Sequence, residues 1–331
     1  MTDTSIRGRF VWHELMSNDT QAAARFYSKV AGWKPQAWEA QPSYTMFMTG
    51  TSAMGGLMAL PEEAKARSTP PMWVTYIATP DVDETAMKAA TLGGRVMRQP
   101  ADIPTIGRFA ILADPQGAMF AVITPLQGPQ PDTRPGNGDY SWHELMTNDW
   151  QGALRFYQQL FGWDTTDAFN DPIIGTYQMY GRNGRTLGGM FNAPTPPVWL
   201  PYIRVADARK TAAVITKNGG TVINGPMEVP GGDWITQAVD PEGVLFAVHS
   251  GKPVIRKAPA SKRKAAKKAA PNKTSAPKKK SAAKKNPAAK KKSAAKKKPA
   301  PKKRSAPKRK PAAKKKTSPQ RASARRSSKK R

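Results

Sequence analysis

The chain contains a long internal repeat. Residues 10–33 read FVWHELMSNDTQAAARFYSKVAGW and residues 140–163 read YSWHELMTNDWQGALRFYQQLFGW, with 14 of 24 positions identical at an offset of 130. Identity at that level marks a duplicated unit, so any fold must accommodate two copies of one domain. The copies stay parallel downstream. Gly55-Gly56-Leu57-Met58 matches Gly188-Gly189-Met190-Phe191, and Pro70-Pro71-Met72-Trp73 matches Pro196-Pro197-Val198-Trp199. Gly93-Gly94 matches Gly219-Gly220, and Asp114-Pro115-Gln116-Gly117 matches Asp240-Pro241-Glu242-Gly243. The drift of the offset places the length changes in loops.

Each copy shows the same order of elements twice. In the first copy the pattern predicts a strand over 10–16 and a helix over about 20–30, with Asp19 as N-cap and Ala23, Phe26, Tyr27 and Val30 at helical spacing. Gly32 is read as the residue that closes this helix. Strands are expected near 34–39, 43–49 and 53–60. The pattern restarts with a strand at 73–79, a helix at 82–92 stopped by Gly93-Gly94, and strands at 95–99, 108–113 and 119–124. Asp114-Pro115-Gln116-Gly117 makes the last hairpin turn. The adjacent glycine pairs read as turn and strand-start glycines. The fold class is therefore α+β: two tandem domains, each of two βαβββ units. The domain reading is an extension over 1–8, a first domain at 9–125, a Pro/Gly-rich linker at 126–138, a second domain at 139–250 and a basic tail at 251–331.

Charge separates the tail from the rest. Residues 252–331 hold 35 Lys or Arg and no acid, and the other 19 basic residues share residues 1–251 with all 23 acids. The tail repeats Ala-Ala-Lys-Lys and Ala-Pro-Lys-Lys without an aromatic residue. It offers too little apolar surface to offset chain entropy, and is expected to be disordered. A cation-rich flexible segment binds polyanions by counterion release and without base stacking, so non-sequence-specific DNA or RNA binding is expected. The residues expected to carry it include Lys262, Arg263, Lys264, Lys278, Lys279, Lys280, Lys296, Lys297, Lys298, Lys308, Arg309, Lys310, Arg325 and Arg326. The Lys/Ala/Pro blocks resemble the tails of linker histones and bacterial histone-like proteins. The chain has no cysteine, which removes disulfide and thiolate chemistry. Met1-Thr2-Asp3-Thr4-Ser5 has no apolar run of the secretory kind, and no apolar stretch reaches membrane-spanning length. The expected location is cytoplasmic and nucleoid-associated, with no membrane partner.

The motif Asp19…Arg25-Phe26-Tyr27…Gly32-Trp33, repeated as Asp149…Arg155-Phe156-Tyr157…Gly162-Trp163 and followed by the Gly-Gly and Asp-Pro-x-Gly pairs, resembles the vicinal-oxygen-chelate superfamily. That group includes glyoxalase I, bleomycin-resistance proteins and extradiol dioxygenases. The resemblance covers nearly all of residues 9–250 and implies that each domain curls into a cup of about eight strands. It further implies metal ligands on the first and last strands of each unit. Those positions carry Trp12, Val74, Ala121 and Met58-Ala59 in the first copy, and Trp142, Leu200, Ala247 and Phe191 in the second. None can ligate a divalent metal, so no metal or cofactor is expected in either cup.

The remaining polar candidates lie in the first strands. Strand alternation puts Trp12, Glu14 and Met16 on one face and Val11, His13 and Leu15 on the other. Glu14 and Glu144 are then cup carboxylates whose pKa burial would raise. Each is either a ligand contact, a general base, or the satisfied partner of a nearby Arg or Tyr. His13 and His143 read as core or edge histidines, with His13 packed toward the helix; an adjacent His-Glu metal site is awkward because strand neighbours point to opposite faces. Trp12, Met16 and Tyr76, with Trp142, Met146 and Tyr202, are expected to line the cups, either as packing or as ligand contacts. Arg108 and Trp234 occupy corresponding late-strand positions and are expected to reach the cups, making the two unequal. His249 has no counterpart in copy one, where Ile123 stands. No Gly-rich phosphate loop, Ser-His-Asp order or Cys-His pair is read from the sequence. Three functions fit: a metal-independent binder of a small organic molecule tethered to nucleic acid, a lyase or isomerase using Glu14 or Glu144 as base, and a structural nucleoid protein.

Overall fold

The computed structural model describes residues 6–127 and 134–251. The basic tail, with every residue expected to bind nucleic acid, lies outside the described residues. The first copy runs β1 (Phe10–Ser17), α1 (Thr20–Val30), β2 (Lys34–Trp38), β3 (Gln41–Thr49), β4 (Ser52–Ala59), α2 (Glu62–Ala66), β5 (Met72–Ala78), α3 (Val82–Thr91), β6 (Arg95–Ile103), β7 (Gly107–Ala113) and β8 (Met119–Pro125). The second runs β9 (Tyr140–Thr147), α4 (Trp150–Phe161), β10 (Asp164–Asp171), β11 (Gly175–Arg182), β12 (Arg185–Asn192), β13 (Val198–Arg204), α5 (Ala208–Lys217), β14 (Thr221–Glu228), β15 (Trp234–Val239) and β16 (Leu245–Ser250). The two βαβββ units of each copy join in one eight-stranded mixed sheet, in the orders β2-β3-β4-β1-β5-β8-β7-β6 and β10-β11-β12-β9-β13-β16-β15-β14. The paired-unit fold expected from the repeat is therefore present twice.

Local chemistry explains the element starts. Each of the four long helices begins on an aspartate whose carboxylate accepts from a first-turn N–H: Asp19 from Ala22, Asp81 from Glu84, Asp149 from Gly152, and Asp207 from Arg209 and Lys210. Each such cap contributes about 1 kcal/mol. The first helix of copy one ends at Ala31, with Gly32 in the left-handed region just beyond it; in copy two Gly162 itself is the left-handed cap. Gly93-Gly94 and Gly219-Gly220 occupy the turns that lead into β6 and β14. The other two of the four glycine pairs differ from expectation: Gly55-Gly56 and Gly188-Gly189 sit inside β4 and β12. The reason is steric: a Cβ on Gly56 would stand 1.7 Å from the Tyr44 hydroxyl oxygen, and one on Gly189 2.0 Å from the Tyr177 ring. The bare strand lets each tyrosine ring lie across it.

The two copies are clasped reciprocally. Tyr27 on α1 donates to Asp240 in the last turn of copy two (3.2 Å), and Tyr157 on α4 donates to Asp114 in the last turn of copy one (3.1 Å). Trp73 and Trp199 donate to those same tyrosine hydroxyls. The indole of Trp33 reaches the Gly138 carbonyl, and that of Trp163 reaches Gly8. One hydrophobic core joins Ile77, Phe120 and Val122 of copy one with Phe156, Tyr157 and Trp163 of copy two, and a second joins Phe26, Tyr27 and Trp33 with Ile203, Phe246 and Val248. The Phe-Tyr…Gly-Trp and Asp-Pro-x-Gly motifs are thus the two sides of the seam between copies.

His13 belongs to this seam, not to its own helix. It does point away from Glu14, as alternation requires, but its Nε2 lies 2.9 Å from Nε2 of His143. His13 stacks on Tyr140 and His143 on Phe10. Burial drives both imidazoles toward the neutral form, His143 down to about 3; the neighbouring His143 lowers His13 further. A neutral pair satisfies itself, one ring donating and the other accepting.

Candidate functional site

Each cup is built around one carboxylate. In the first, Glu14 accepts from the hydroxyls of Tyr44 (2.9 Å) and Tyr76 (3.1 Å), and the Trp12 indole donates to Tyr44 (3.0 Å). In the second, Glu144 accepts from Tyr177 (2.8 Å), Tyr202 (3.0 Å) and the Gln237 amide (3.0 Å), and Trp142 donates to Tyr177 (2.9 Å). The register explains the convergence. On the two central strands Trp12 pairs with Tyr76 and Glu14 with Val74, and the second copy repeats this with Trp142 and Tyr202, Glu144 and Leu200. Trp12, Met16 and Tyr76 sit together in one apolar cluster; Trp142 and Met146 bridge the two clusters of the second cup, one of which holds Tyr202.

The electrostatics follow from burial. Desolvation raises the Glu14 pKa above its ordinary value, against the lowering influence of Tyr44, Tyr76 and the charge of Arg98. Glu144 is pushed up to about 7 by the same desolvation, offset in part by its three donors, Tyr177, Tyr202 and Gln237. The phenols are driven upward by burial and by the carboxylates they serve, so they remain donors throughout the physiological range.

Arg108 and Trp234 do not reach the cups. They alternate with the cup residues Phe109 and Ile235 and so face the helices. Arg108 is held by Asp83 on α3 (2.8 Å) and by Asp102 (3.0 Å), and the Arg209 guanidinium covers the Trp234 ring. The cups are nonetheless unequal, through other residues. Arg98, over the Phe109 ring in the first cup, is replaced by Asn224 in the second, where it donates to Gln237; Gln237 replaces Ile111. Tyr44, Tyr177, Arg98 and Gln237 are site residues that the sequence reading missed. A signal for the tyrosines was present: Tyr44 and Tyr177 share the offset of 133 that relates the two Gly-Gly pairs.

The superfamily's metal does not fit these residues. The strand positions that would supply ligands do come together on the faces that carry Glu14 and Glu144, but as Trp12, Met58, Val74 and Ala121, and as Trp142, Phe191, Leu200 and Ala247. The floor of each cup offers one carboxylate, Glu14 or Glu144, with both oxygens engaged by tyrosine hydroxyls. Among the described residues no group of three or more His, Asp or Glu is placed to hold a metal ion. A surface cleft of about 650 Å³ lies elsewhere, on the helix side, lined by residues such as Arg25, Lys29, Pro35 and Asn218.

The model of the Glyoxalase/Bleomycin resistance protein/Dioxygenase superfamily matches residues 9–122 and again residues 140–248. The chain belongs to this superfamily. Relatives similar to it include CFP32 of Mycobacterium tuberculosis (strain CDC 1551 / Oshkosh), which carries a glyoxylase name and is 30% identical over 247 residues, 72% of this chain and 92% of the relative. The anthracycline biosynthesis protein DnrV of Streptomyces peucetius is 29% identical over 265 residues, 73% of this chain and 92% of the relative. Among solved structures, the Mn(II)-bound glyoxalase from Novosphingobium aromaticivorans aligns with a TM-score of 0.52 at 18% identity, over 74% of this chain and 82% of the other. A variant of homoprotocatechuate 2,3-dioxygenase from B. fuscum aligns with a TM-score of 0.54 at 15% identity, over 74% of this chain and 72% of the other. These likenesses establish the fold. No helix among the described residues is long and apolar enough to cross a membrane.

Proposed function

We propose that this glyoxalase-superfamily chain binds a small organic molecule in its cups without a metal ion, and that its basic tail holds it on nucleic acid. The observation that carries the first part is the buried Glu144, ringed by Tyr177, Tyr202 and Gln237 and reproduced in copy one as Glu14 with Tyr44 and Tyr76. Such a group recognises a ligand that brings a hydrogen-bond donor or a positive charge to an aromatic, mostly apolar wall. The similarity to an anthracycline biosynthesis protein is compatible with a planar organic ligand. The tail carries the second part by charge alone: 35 cations over residues 252–331 suit a phosphate backbone without reading sequence.

A screen of small aromatic and amine-bearing compounds against the full chain, read by tryptophan fluorescence, tests the cup. We expect binding that EDTA leaves unchanged and that Glu144→Gln weakens roughly 10-fold or more, the loss of a hydrogen bond to a charged group. Binding abolished by EDTA and restored by a transition metal would defeat the reading. A chain ending at Gly251 tests the tail: it should lose salt-sensitive DNA retardation, and retention of that binding at physiological salt would place the interface elsewhere. A second reading has one observation in its favour. A carboxyl held near pH 7 suits a general base, and a lyase or isomerase step would then use Glu144 as proton acceptor. It predicts that Glu144→Gln keeps ligand binding but abolishes turnover.

A further inference from the structure

The duplication supplies an internal control: where the copies differ at a structurally equivalent position, the fold tolerates both residues. At the rim of the second cup four such differences coincide. Ser141, Arg204, Asp233 and His249 stand where copy one has Val11, Ala78, Gly107 and Ile123, at the offsets of 130 and 126 that relate the two copies. The polar residues come from β9, β13, the turn before β15, and β16, and three of them meet. The Ser141 hydroxyl lies 2.8 Å from Nδ1 of His249, and Nε2 of His249 lies 2.9 Å from the Asp233 carboxylate. Arg204 pairs with His249 in register on the neighbouring strand. In chain order the three are Ser, Asp and His, spread over 108 residues, which is why no such order was read from the sequence.

Ser141 owes its position to a bulge. Trp142 faces Tyr202 and Tyr140 faces Ile203, so Ser141 is the extra residue opposite two consecutive partners. The bulge turns a side chain that simple alternation would put on the helix side toward His249, which shares a face with the cup residue Ala247. Copy one has the same bulge at Val11, so the backbone device predates or outlasts the polar cluster and is not caused by it. The cluster is reachable: the His249 side chain is 15% exposed and that of Asp233 40%.

We propose that Ser141, His249 and Asp233 form a nucleophilic site at the rim of the second cup, able to take the acyl group of a small carboxylic ester onto Ser141. The arrangement meets the requirement of a hydroxyl held by one imidazole nitrogen while a carboxylate fixes the other. The two nitrogens exchange the roles they have in the serine-protease triad, serine on Nδ1 and carboxylate on Nε2. Asp233 accepts the Nε2–H and so leaves Nδ1 as the acceptor for the serine proton. Ser141 Oγ adds to the ester carbonyl carbon as its proton passes to Nδ1. The carbon–oxygen bond to the alcohol breaks, and the departing oxygen takes that proton. Water then adds to the acyl-serine, gives its proton to Nδ1, and the carboxylic acid leaves as Ser141 is reprotonated. Ser141 and His249 are the catalytic residues and Asp233 a positioning residue. The site is independent of the carboxylate at the floor of the cup.

The full chain is incubated with a fluorophosphonate and with p-nitrophenyl acetate, followed by intact mass and peptide mapping. The expected result is one adduct per chain, on Ser141, with a burst of p-nitrophenol as that serine is acetylated and slower release of acetate as water hydrolyses the acetyl-serine. Ser141→Val and His249→Ile install the residues of copy one. The first should abolish the adduct and the second slow its formation roughly 100-fold. Should either disturb folding, as judged by circular dichroism, Ser141→Ala and His249→Gln serve instead. Asp233→Asn should shift the pH profile of labelling, and Asp233→Glu should recover part of the rate, which a merely structural aspartate would not do. No adduct, an adduct on another serine, or equal labelling rates with and without His249 would each overturn the proposal and leave the cluster as a polar staple of the rim.

Discussion

At the scale of single residues, the cup carboxylates set a pH signature that can be worked out in sign. Burial moves Glu144 from its ordinary 4.5 to about 7, so the folded chain holds a proton that the unfolded chain has released between those values. Its contribution to stability is therefore largest at acid pH and falls as pH rises through 7, by roughly 3 kcal/mol between the plateaus. His143 acts in the opposite direction. Its pKa falls from 6.5 to about 3, so stability from that ring grows as pH rises across the interval and is complete above 6.5. The two windows overlap, and the wild-type profile alone hides both. Glu144→Gln isolates the first, because glutamine keeps a neutral hydrogen-bonding group among Tyr177, Tyr202 and Gln237. Relative to wild type, the variant should gain roughly 5 °C or more in Tm between pH 5 and pH 8. A difference in Tm that stays constant with pH would mean that Glu144 is ionised in the fold at every pH tested.

At the scale of the element, β4 and β12 are shaped by what crosses them. Tyr44 and Tyr177 can reach the carboxylates only because the strand beneath has no side chain at Gly56 and Gly189. Gly56→Ala should displace the Tyr44 ring, cost about 1–3 kcal/mol as an overpacked site, and weaken ligand binding in the first cup while sparing the second. Its cost should fall sharply in a Tyr44→Ala background, since the clash is then gone; a double-mutant cycle by denaturant melts reads this, and additive costs would refute the account. Element placement was legible in the sequence because helix period, aspartate caps and left-handed glycines are local signals, and β1, α1 and α3 lie within a residue or two of their expected bounds. What crosses between strands was not. Arg108 was assigned to the cup from its place in the repeat, yet the side of the sheet it occupies depends on the register of β7, where Phe109 and Ile111 take the concave face. Gln237 and Arg98 escaped notice because their partners are set by sheet curvature, which no local pattern records.

At the scale of the molecule, the repeated motifs that announce the duplication are the parts that each copy lends to the other. Sequence shows that Tyr27, Trp33 and Asp114 recur as Tyr157, Trp163 and Asp240, but not that each reaches across to the other copy, because a repeat offset carries no information about which copy supplies the partner. The consequence is that neither half is complete alone. Residues 6–127 by themselves would leave Phe26, Tyr27 and Trp33 on one side, and Phe120 and Val122 on the other, without the second copy that now covers them. Asp114 would lose Tyr157, although three backbone amides would still hold its other oxygen. The uncovered surface is far more apolar than a stable monomer exposes. The same surface is complementary to a close relative of itself, and that relation generates a two-fold dimer when two identical halves meet. A chain of residues 1–127 should therefore sediment as a homodimer, or fail to stay in solution, and should melt at a concentration-dependent temperature. Trp33→Ala in that half-chain should abolish the dimer. A half-chain that is monomeric, shows native-like near-ultraviolet dichroism and melts cooperatively would contradict the clasp as the source of stability, and would make the seam an ordinary contact between independently folded cups.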